Sequence, residues 1–443
     1  MDKNRHMKNI EDTKIANERY KLQRKKRNST KEKSANLEYA FNDEAIDLYS
    51  KKVEITEKDK KSALKRLLIA LGLCVLCGVC VLCYANKDKL SVAYISDWVN
   101  YDLLGKSKDG TFPVDIVGTN IDEGNISLIS NDYLAYVSNT NSVAIKKDGG
   151  NVYSRQIRYS KPVLKTDGEY CLIYNLDSNG YTLSNTKQVL LDNELENDII
   201  FGTINKNGDY ALITTTDSYL SKLSVYNSKG DFKYGYSFSE YYAYCVDINE
   251  SGNQAIVGAI RSNDGVLQSA IYLLDFSKEE PTEVTTFDNY YVYDIKYITS
   301  DIASIIFDNN MVMYDTKNIN MTLCEYGNKA LTQYDCNDNT GCTTVVLSRS
   351  GDGRMCDIDY YNYNGVKENT ISTDLKITAI DMYKDKVAVL SDGYIYEYDK
   401  LGNLKYTYYV GIDVESIKMI SENHIYVIGI NTIRMVDISE SQN

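Results

Sequence analysis

From Phe112 onward one unit recurs: a short strand, a polar turn, then a more apolar strand. It is read in GNISLISNDYLAYVS, YSKPVLKTDGEYCLIYN, IIFGTINKNGDYALITT, YCVDINESGNQAIVGAI, YDIKYITSDIASIIF, TQYDCNDNTGCTTVVLS, TAIDMYKDKVAVLS and ESIKMISENHIYVIGI. With Tyr133, Tyr170, Tyr210, Ala255, Ala303, Thr343, Val387 and Ile425 as equivalent points, the steps are 37, 40, 45, 48, 40, 44 and 38 residues. That length is what four short strands and their turns consume, one blade of a propeller. A parallel solenoid would use shorter repeats and would not need so many hairpin signals. The repeat therefore predicts an all-β fold, an eight-bladed β-propeller, with seven blades as the alternative count.

The ends of the repeat carry a second sign. The last unit supplies ESIKMIS, HIYVIGI and TIRMVDI without a fourth strand, while an orphan strand, FPVDIVG at 112–118, precedes the first unit. Lent to the last blade as its outer strand, it fastens the ring across its termini and removes an exposed edge. The propeller is expected over 111–439.

What precedes the repeat is different in kind. Residues 1–66 hold 19 Lys/Arg against 12 Asp/Glu, and the remaining 30 Lys/Arg meet 50 Asp/Glu in 67–443, so a basic tail leads an acidic body. Between Arg66 and Lys87 no charge occurs. Twenty residues at 1.5 Å each make a helix of about 30 Å, the thickness of a bilayer's hydrocarbon core. Ten of residues 67–82 are Leu, Ile or Val, contributing roughly −3 to −6 kcal/mol to insertion. Lys60, Lys61, Lys65 and Arg66 crowd the N-terminal end, which keeps the tail cytoplasmic and exports the body. The expected order is a cytoplasmic tail (1–66), a single transmembrane helix (67–86), a juxtamembrane helical stalk (87–110) and an extracellular propeller at the cell membrane. Cleavage after the small residues Cys83 and Ala85 is the competing reading, but a leader of this length is too long for an ordinary signal peptide. In the stalk, Leu90, Tyr94, Trp98, Tyr101 and Leu104 recur at helical spacing.

The run CVLCGVCVLC at 74–83 carries four cysteines, each three positions after the last. Three residues advance about 300° on a helix, so Cys74 and Cys83 end about 13 Å apart on different sides. They cannot converge on a cluster without unwinding the helix in lipid. Here Cys is a small apolar filler.

The order of basic tail, single anchor, stalk, FPVDIVG strand and Tyr-rich blades resembles the membrane-anchored propellers grouped as domain of unknown function 5711. The hairpin turns KTDGEY, NKNGDY and NESGNQ are similar to the Asp-Gly turns of WD-type and TolB-like propellers. The resemblance implies fold and topology without an activity. With the one tryptophan outside the blades, the docking pattern of quinoproteins is missing, and no cofactor is implied.

No catalytic set can be assembled from single residue types. The exported part has one histidine, His424, at the start of a strand, so neither a Ser-His-Asp set nor a His-based metal site can be built. A ring does bring distant Asp residues together, which leaves paired channel carboxylates open for an enzyme acting on wall polymers. Six cysteines lie in the body. Cys336 and Cys342 flank the turn NDNTG and are the pair a hairpin disulfide would join in an oxidising exterior; buried free thiols are the alternative.

Forty Tyr against eight Phe is unusual. Two neighbouring units share a pattern, EYYAYCVDI at 240–248 and NYYVYDIKY at 289–297, both where an outer strand hands over to the next inner strand. Tyr241, Tyr242, Tyr290 and Tyr291 are thus expected to form one binding rim, with packing of strand starts as the plainer reading. Aromatic bodies with polar tips suit peptides or sugars. The basic segment KLQRKKRNSTKEK at 21–33 is expected near anionic lipid, and residues 35–55 include a short helix suited to a cytoplasmic partner. The acidic body argues against nucleic acid as a partner. The sequence thus points to a membrane-anchored binding or scaffolding module for a protein, peptide or cell-envelope ligand. The wall-directed enzyme and a sensor signalling to the tail are the other classes.

Overall fold

The computed structural model describes residues 111–438 apart from 120, 122 and 131, together with Arg19, Lys21 and Arg66, which are helical and exposed. The rest of the expected tail, the span at 67–86 and the stalk at 87–110 lie outside the described residues. Among the described residues no helix is long and apolar enough to cross a membrane.

Those residues form eight four-stranded antiparallel sheets. Seven are meanders in chain order, spanning 126–156, 162–194, 199–238, 242–288, 292–325, 330–372 and 379–409; these are blades 1 to 7. Blade 8 takes Val414–Met419, His424–Gly429 and Thr432–Asp437 from the end of the repeat and Val114–Asp115 from before it, in that order. All eight repeat markers fall in the second strand of their blades.

Burial explains why each strand has its composition. The second strands are buried over most of their length, and Tyr210–Thr214 over all of it, because each sheet is packed between two others. Fourth strands, such as Leu404–Tyr409, lie on the outside and alternate little. The core is accordingly divided into eight apolar clusters, one at each joint between neighbouring blades. Leu164 and Ile173 of blade 2 meet Ile129 and Val137 of blade 1, and the series runs round to Tyr426 and Ile428 of blade 8 against Ile126 and Tyr136 of blade 1. No joint is open, so the eight sheets make a closed ring, with first strands packed on first strands at six of the joints and apolar side chains closing the other two.

The closing strand is shorter than the sequence suggests. Of 112–118 only Val114 and Asp115 pair, with Ile433 and Thr432. The flanking residues hold on by other means: Ile116 N–H donates to Asn431 O at 2.9 Å, Val117 N–H donates to the Tyr136 hydroxyl at 2.9 Å, and Phe112 meets Tyr426 edge-on at 6.0 Å. Phe112, Val114 and Ile116 all pack into the joint between blades 8 and 1.

Turns between first and second strands lie on one face of the ring. Because successive strands are antiparallel, the turns between second and third strands and the links between blades lie on the other. In the first class, Asn205 Oδ1 accepts the N–H groups of Asn207 and Asp209 at 3.0 Å each, and Gly208 takes φ +79°, which glycine adopts without steric cost. The Asn205 amide then reaches Asn249 O of blade 4 at 2.9 Å, tying neighbouring turns together.

Candidate functional site

One position in the first strand of every blade faces the central channel, just before the residue that pairs with the repeat marker. From blade 1 to blade 8 it is Leu128, Thr166, Thr203, Asp247, Lys296, Asp335, Asp381 and Lys418. Five of the eight are charged, and each stands between two apolar or aromatic residues of its strand. A buried charge is tolerated only when paired or hydrogen-bonded, and here the partner comes from the adjacent blade. Thr203 donates to Asp247 Oδ1 at 2.8 Å, and the Tyr297 N–H donates to its Oδ2 at 2.8 Å. The Met419 N–H donates to Asp381 Oδ2 at 2.7 Å, and Lys418 Nζ donates to its Oδ1 at 2.9 Å. The Met382 N–H likewise serves Asp335. Each of these three aspartates therefore stitches its own blade to the next one.

At the mouth of the channel Lys206 Nζ and Asp338 Oδ2 lie 3.1 Å apart. Their turns belong to blades 3 and 6, three steps apart in a ring of eight, so the ion pair runs across the opening. On one side lies a cavity of about 500 Å³ bordered by Ser127, Thr166, Asp167, Asp335, Asp381 and Lys418. On the other lies a small one of about 50 Å³ that includes Asp247 and Glu250. Asp167, Lys206, Lys296 and Asp338 border both.

Burial dominates the electrostatics of the cavity. It pushes Asp335 up to about 7, helped by Asp381 and Asp338 and opposed by Lys418. It pushes Asp167 up to about 6 against the pull of Lys296. Asp247 is raised by burial as well, in spite of Lys296 and its two hydrogen bonds. The Lys296 ammonium is held charged, above the ordinary lysine range, chiefly by Asp247 and then by Asp167 and Asp338. Among the described residues no group of three or more His, Cys, Asp or Glu is placed to hold a metal ion.

The four expected tyrosines divide by strand alternation. Tyr241 is buried, packed into the joint between blades 3 and 4, and its hydroxyl donates to Gln268 at 2.6 Å. Tyr290 is half-buried, with its ring 5.5 Å from Phe307. The next residue in each pair points the other way: Tyr242 is 38% and Tyr291 37% exposed. Tyr291 stacks on Tyr244 at 5.3 Å, and Tyr293 meets it edge-on at 5.4 Å. The surface rim therefore comprises Tyr242 and Tyr291, whereas Tyr241 belongs to the core.

The same face supplies neighbours that the tyrosine pattern did not include. Tyr219 and Leu220 stand exposed on the second turn of blade 3, and Val266 and Leu267 on that of blade 4. The latter turn tops an unusually long hairpin, Gln254–Asn263 and Val266–Asp275. It is tied to the tyrosine segment, since Asn289 N–H donates to Leu267 O at 2.7 Å and Ser269 donates to Tyr290 O at 2.6 Å. The fringe is acidic: Asp217, Glu240, Asp264 and Asp288 are exposed there. Arg261, a nearby cation, is already engaged, 4.2 Å over the Tyr241 ring and 3.8 Å from Glu240.

The two hairpin cysteines are not brought together. Cys336 pairs with Thr343 and Cys342 with Asn337, which puts the two side chains on opposite faces of the sheet. Cys336 packs towards blade 5 and Cys342 towards blade 7, and both are free, as are the other four cysteines of the body. His424 begins the second strand of blade 8, where its Nδ1 lies 3.0 Å from Ser421 Oγ.

Residues 117–438 match the model of a family described as of unknown function, DUF5711. No curated protein matches the sequence. Among solved structures, the β-propeller domain of Cps50 (Swd1) from Myceliophteria thermophila is similar at 8% identity and a TM-score of 0.43, covering 73% of this chain and 98% of that one. KlHsv2 with loop 6CD replaced by a Gly-Ser linker is similar at 11% identity and a TM-score of 0.44, covering 61% and 89%.

Proposed function

We propose a binding role for this chain, which belongs to the DUF5711 family: it is a binding or scaffolding module that takes a basic protein or peptide segment on the aromatic arc of blades 3 to 5. The observation that carries this reading is the arc itself. Tyr219, Leu220, Tyr242, Val266, Leu267 and Tyr291 are exposed on one face, although monomeric proteins rarely leave contiguous apolar patches uncovered. Tyrosines give contact area at little entropic cost and are enriched where binding energy concentrates. The acidic fringe favours a partner bearing Lys or Arg and repels acidic ones. The hydrophobic run at 67–86 supports placing the module at a cell membrane, with the tail cytoplasmic and beside anionic lipid and the propeller outside.

A photo-crosslinking residue placed at Tyr242 or Tyr291 in intact cells tests the surface. The expected outcome is a discrete crosslinked protein, identified by mass spectrometry, that is absent when the probe stands at Phe232, an exposed site on the outer strand of blade 3. The same products from all three positions would sink the reading. Labelling the C-terminus with a membrane-impermeant reagent tests the topology; labelling only after lysis would reverse it.

A further inference from the structure

The wall of the larger cavity contains charges that the fold answers and charges that it does not. Lys418 is answered by Asp381, Lys206 by Asp338, and Asp247 by Thr203 and the Tyr297 N–H, with Lys296 as its counter-charge. Asp335 receives one backbone N–H and shares Lys418 with Asp381; among the described residues the Asp167 carboxyl group has no hydrogen bond and no contact ion pair, and Lys296 and Lys206 act on it only from further away. These two carboxyl groups enter the same cavity from blades 6 and 2, half a turn apart on the ring. Between them the wall offers Leu128, Met382 and Met419.

We propose that this cavity binds a small aliphatic diammonium ion, with one ammonium group on Asp335, the other on Asp167, and its methylene chain against Leu128, Met382 and Met419. A single metal ion fits less well, because the two carboxyl groups stand on opposite sides of the channel and no three-ligand set exists among the described residues. A simple carboxylate fits worse, because Lys296 is already surrounded by Asp247, Asp167, Asp338 and Asp294. Asp335 and Asp167 hold protons near neutrality because desolvation outweighs the lysines near them, Lys418 at Asp335 and Lys296 and Lys206 at Asp167. The ligand's ammonium groups take the place of those protons. A cavity of about 500 Å³ is of the size that small-molecule sites commonly have. Entry is past the Lys206–Asp338 pair, whose side chains are 37% and 26% exposed. This site is on the face opposite the aromatic arc, so the two proposals stand or fall separately.

Titration calorimetry of 1,4-diaminobutane into the purified full-length protein at pH 8 tests the site, with butylamine, sodium acetate and magnesium chloride as comparison probes. The diamine should bind saturably and more tightly than butylamine, and acetate should not bind. Asp335→Asn and Asp167→Asn should each weaken binding about tenfold or more, the loss expected for a charge-assisted hydrogen bond. Asp399→Asn, at an exposed turn of blade 7, should leave binding unchanged. The wild type carries an independent readout. Asp335, which faces Asp381, Asp338 and Lys418, must lose its proton to accept the ligand, so affinity should fall about tenfold from pH 8 to pH 6 and binding at pH 7 should release protons. The proposal is overturned by the lack of saturable diamine binding, by binding that ignores both Asn substitutions or pH, or by magnesium displacing the diamine at equal concentration.

Discussion

Replacing Asp335 by Asn should stabilise the protein at alkaline pH and do little in acid. The carboxyl group is buried, and its folded-state value is raised from 3.8 to about 7. A raised acid contributes stability that is complete below the unfolded value and is lost as pH rises through the folded one. At 1.36 kcal/mol per pH unit the whole gap is worth about 4 kcal/mol, of which about 2–3 kcal/mol falls between pH 5 and pH 8 by the same linkage. Asn is nearly isosteric, keeps an oxygen for the Met382 N–H, and brings no charge to Asp381 or Asp338. The variant should therefore gain about 2–3 kcal/mol over the wild type on going from pH 5 to pH 8. Urea unfolding of both full-length proteins, followed by far-UV circular dichroism without amines in the buffer, measures the difference. A gap that is flat with pH, or one in which the variant loses ground as pH rises, would refute the view that Asp335 is an unanswered charge.

Deleting residues 111–119 should lower the melting temperature of the whole propeller, because it uncovers the edge of Thr432–Asp437 and removes Phe112, Val114 and Ile116 from a joint; an unchanged melt would contradict the closure. The milder Phe112→Ala should cost about 2 kcal/mol, less than the roughly 3–5 kcal/mol of a fully buried Phe because Phe112 is only half-buried, read by the same unfolding assay. Gly258→Ala would drive its Cβ into Cys245 Sγ and should cost about 1–3 kcal/mol by overpacking. Adding Cys245→Ala should recover most of that loss, and the absence of recovery would show that the clash is not with the thiol. Burial raises the Cys171 thiol to about 12 and Cys324 to about 11, so both should resist iodoacetamide at pH 7.5 until the protein unfolds. A peptide map without reductant should find Cys336 and Cys342 unjoined.

The ring was legible because a propeller repeats a long unit and buries its second strand on both sides. Runs such as YALI and VAVL are continuously apolar, and the markers Tyr210 and Val387 therefore landed in equivalent strands. The tyrosine rim was half legible. EYY and NYY mark where one blade passes to the next, but alternate residues of an extended chain point to opposite sides, so Tyr241 went inward and Tyr242 outward. The channel charges were missed because the residues that meet there are about forty positions apart. A signal for them was nonetheless present: VDI, IKY, YDC, IDM and IKM each place one charge between two apolar or aromatic residues at the same point of five repeats. A lone charge in an otherwise buried strand needs a partner, and in a ring that partner comes from the adjacent or the facing blade. The disulfide expectation failed on parity, since residues on either side of a hairpin turn share a face only when their pairing register allows it.

The way the circle is fastened also decides where it gives under load. Anything that tugs on the polypeptide ahead of residue 111 delivers its force first to Val114 and Asp115, two residues held by Thr432 and Ile433, and not to the longer ladders elsewhere. Mechanical failure of the propeller should begin at blade 8, with the other seven blades still intact.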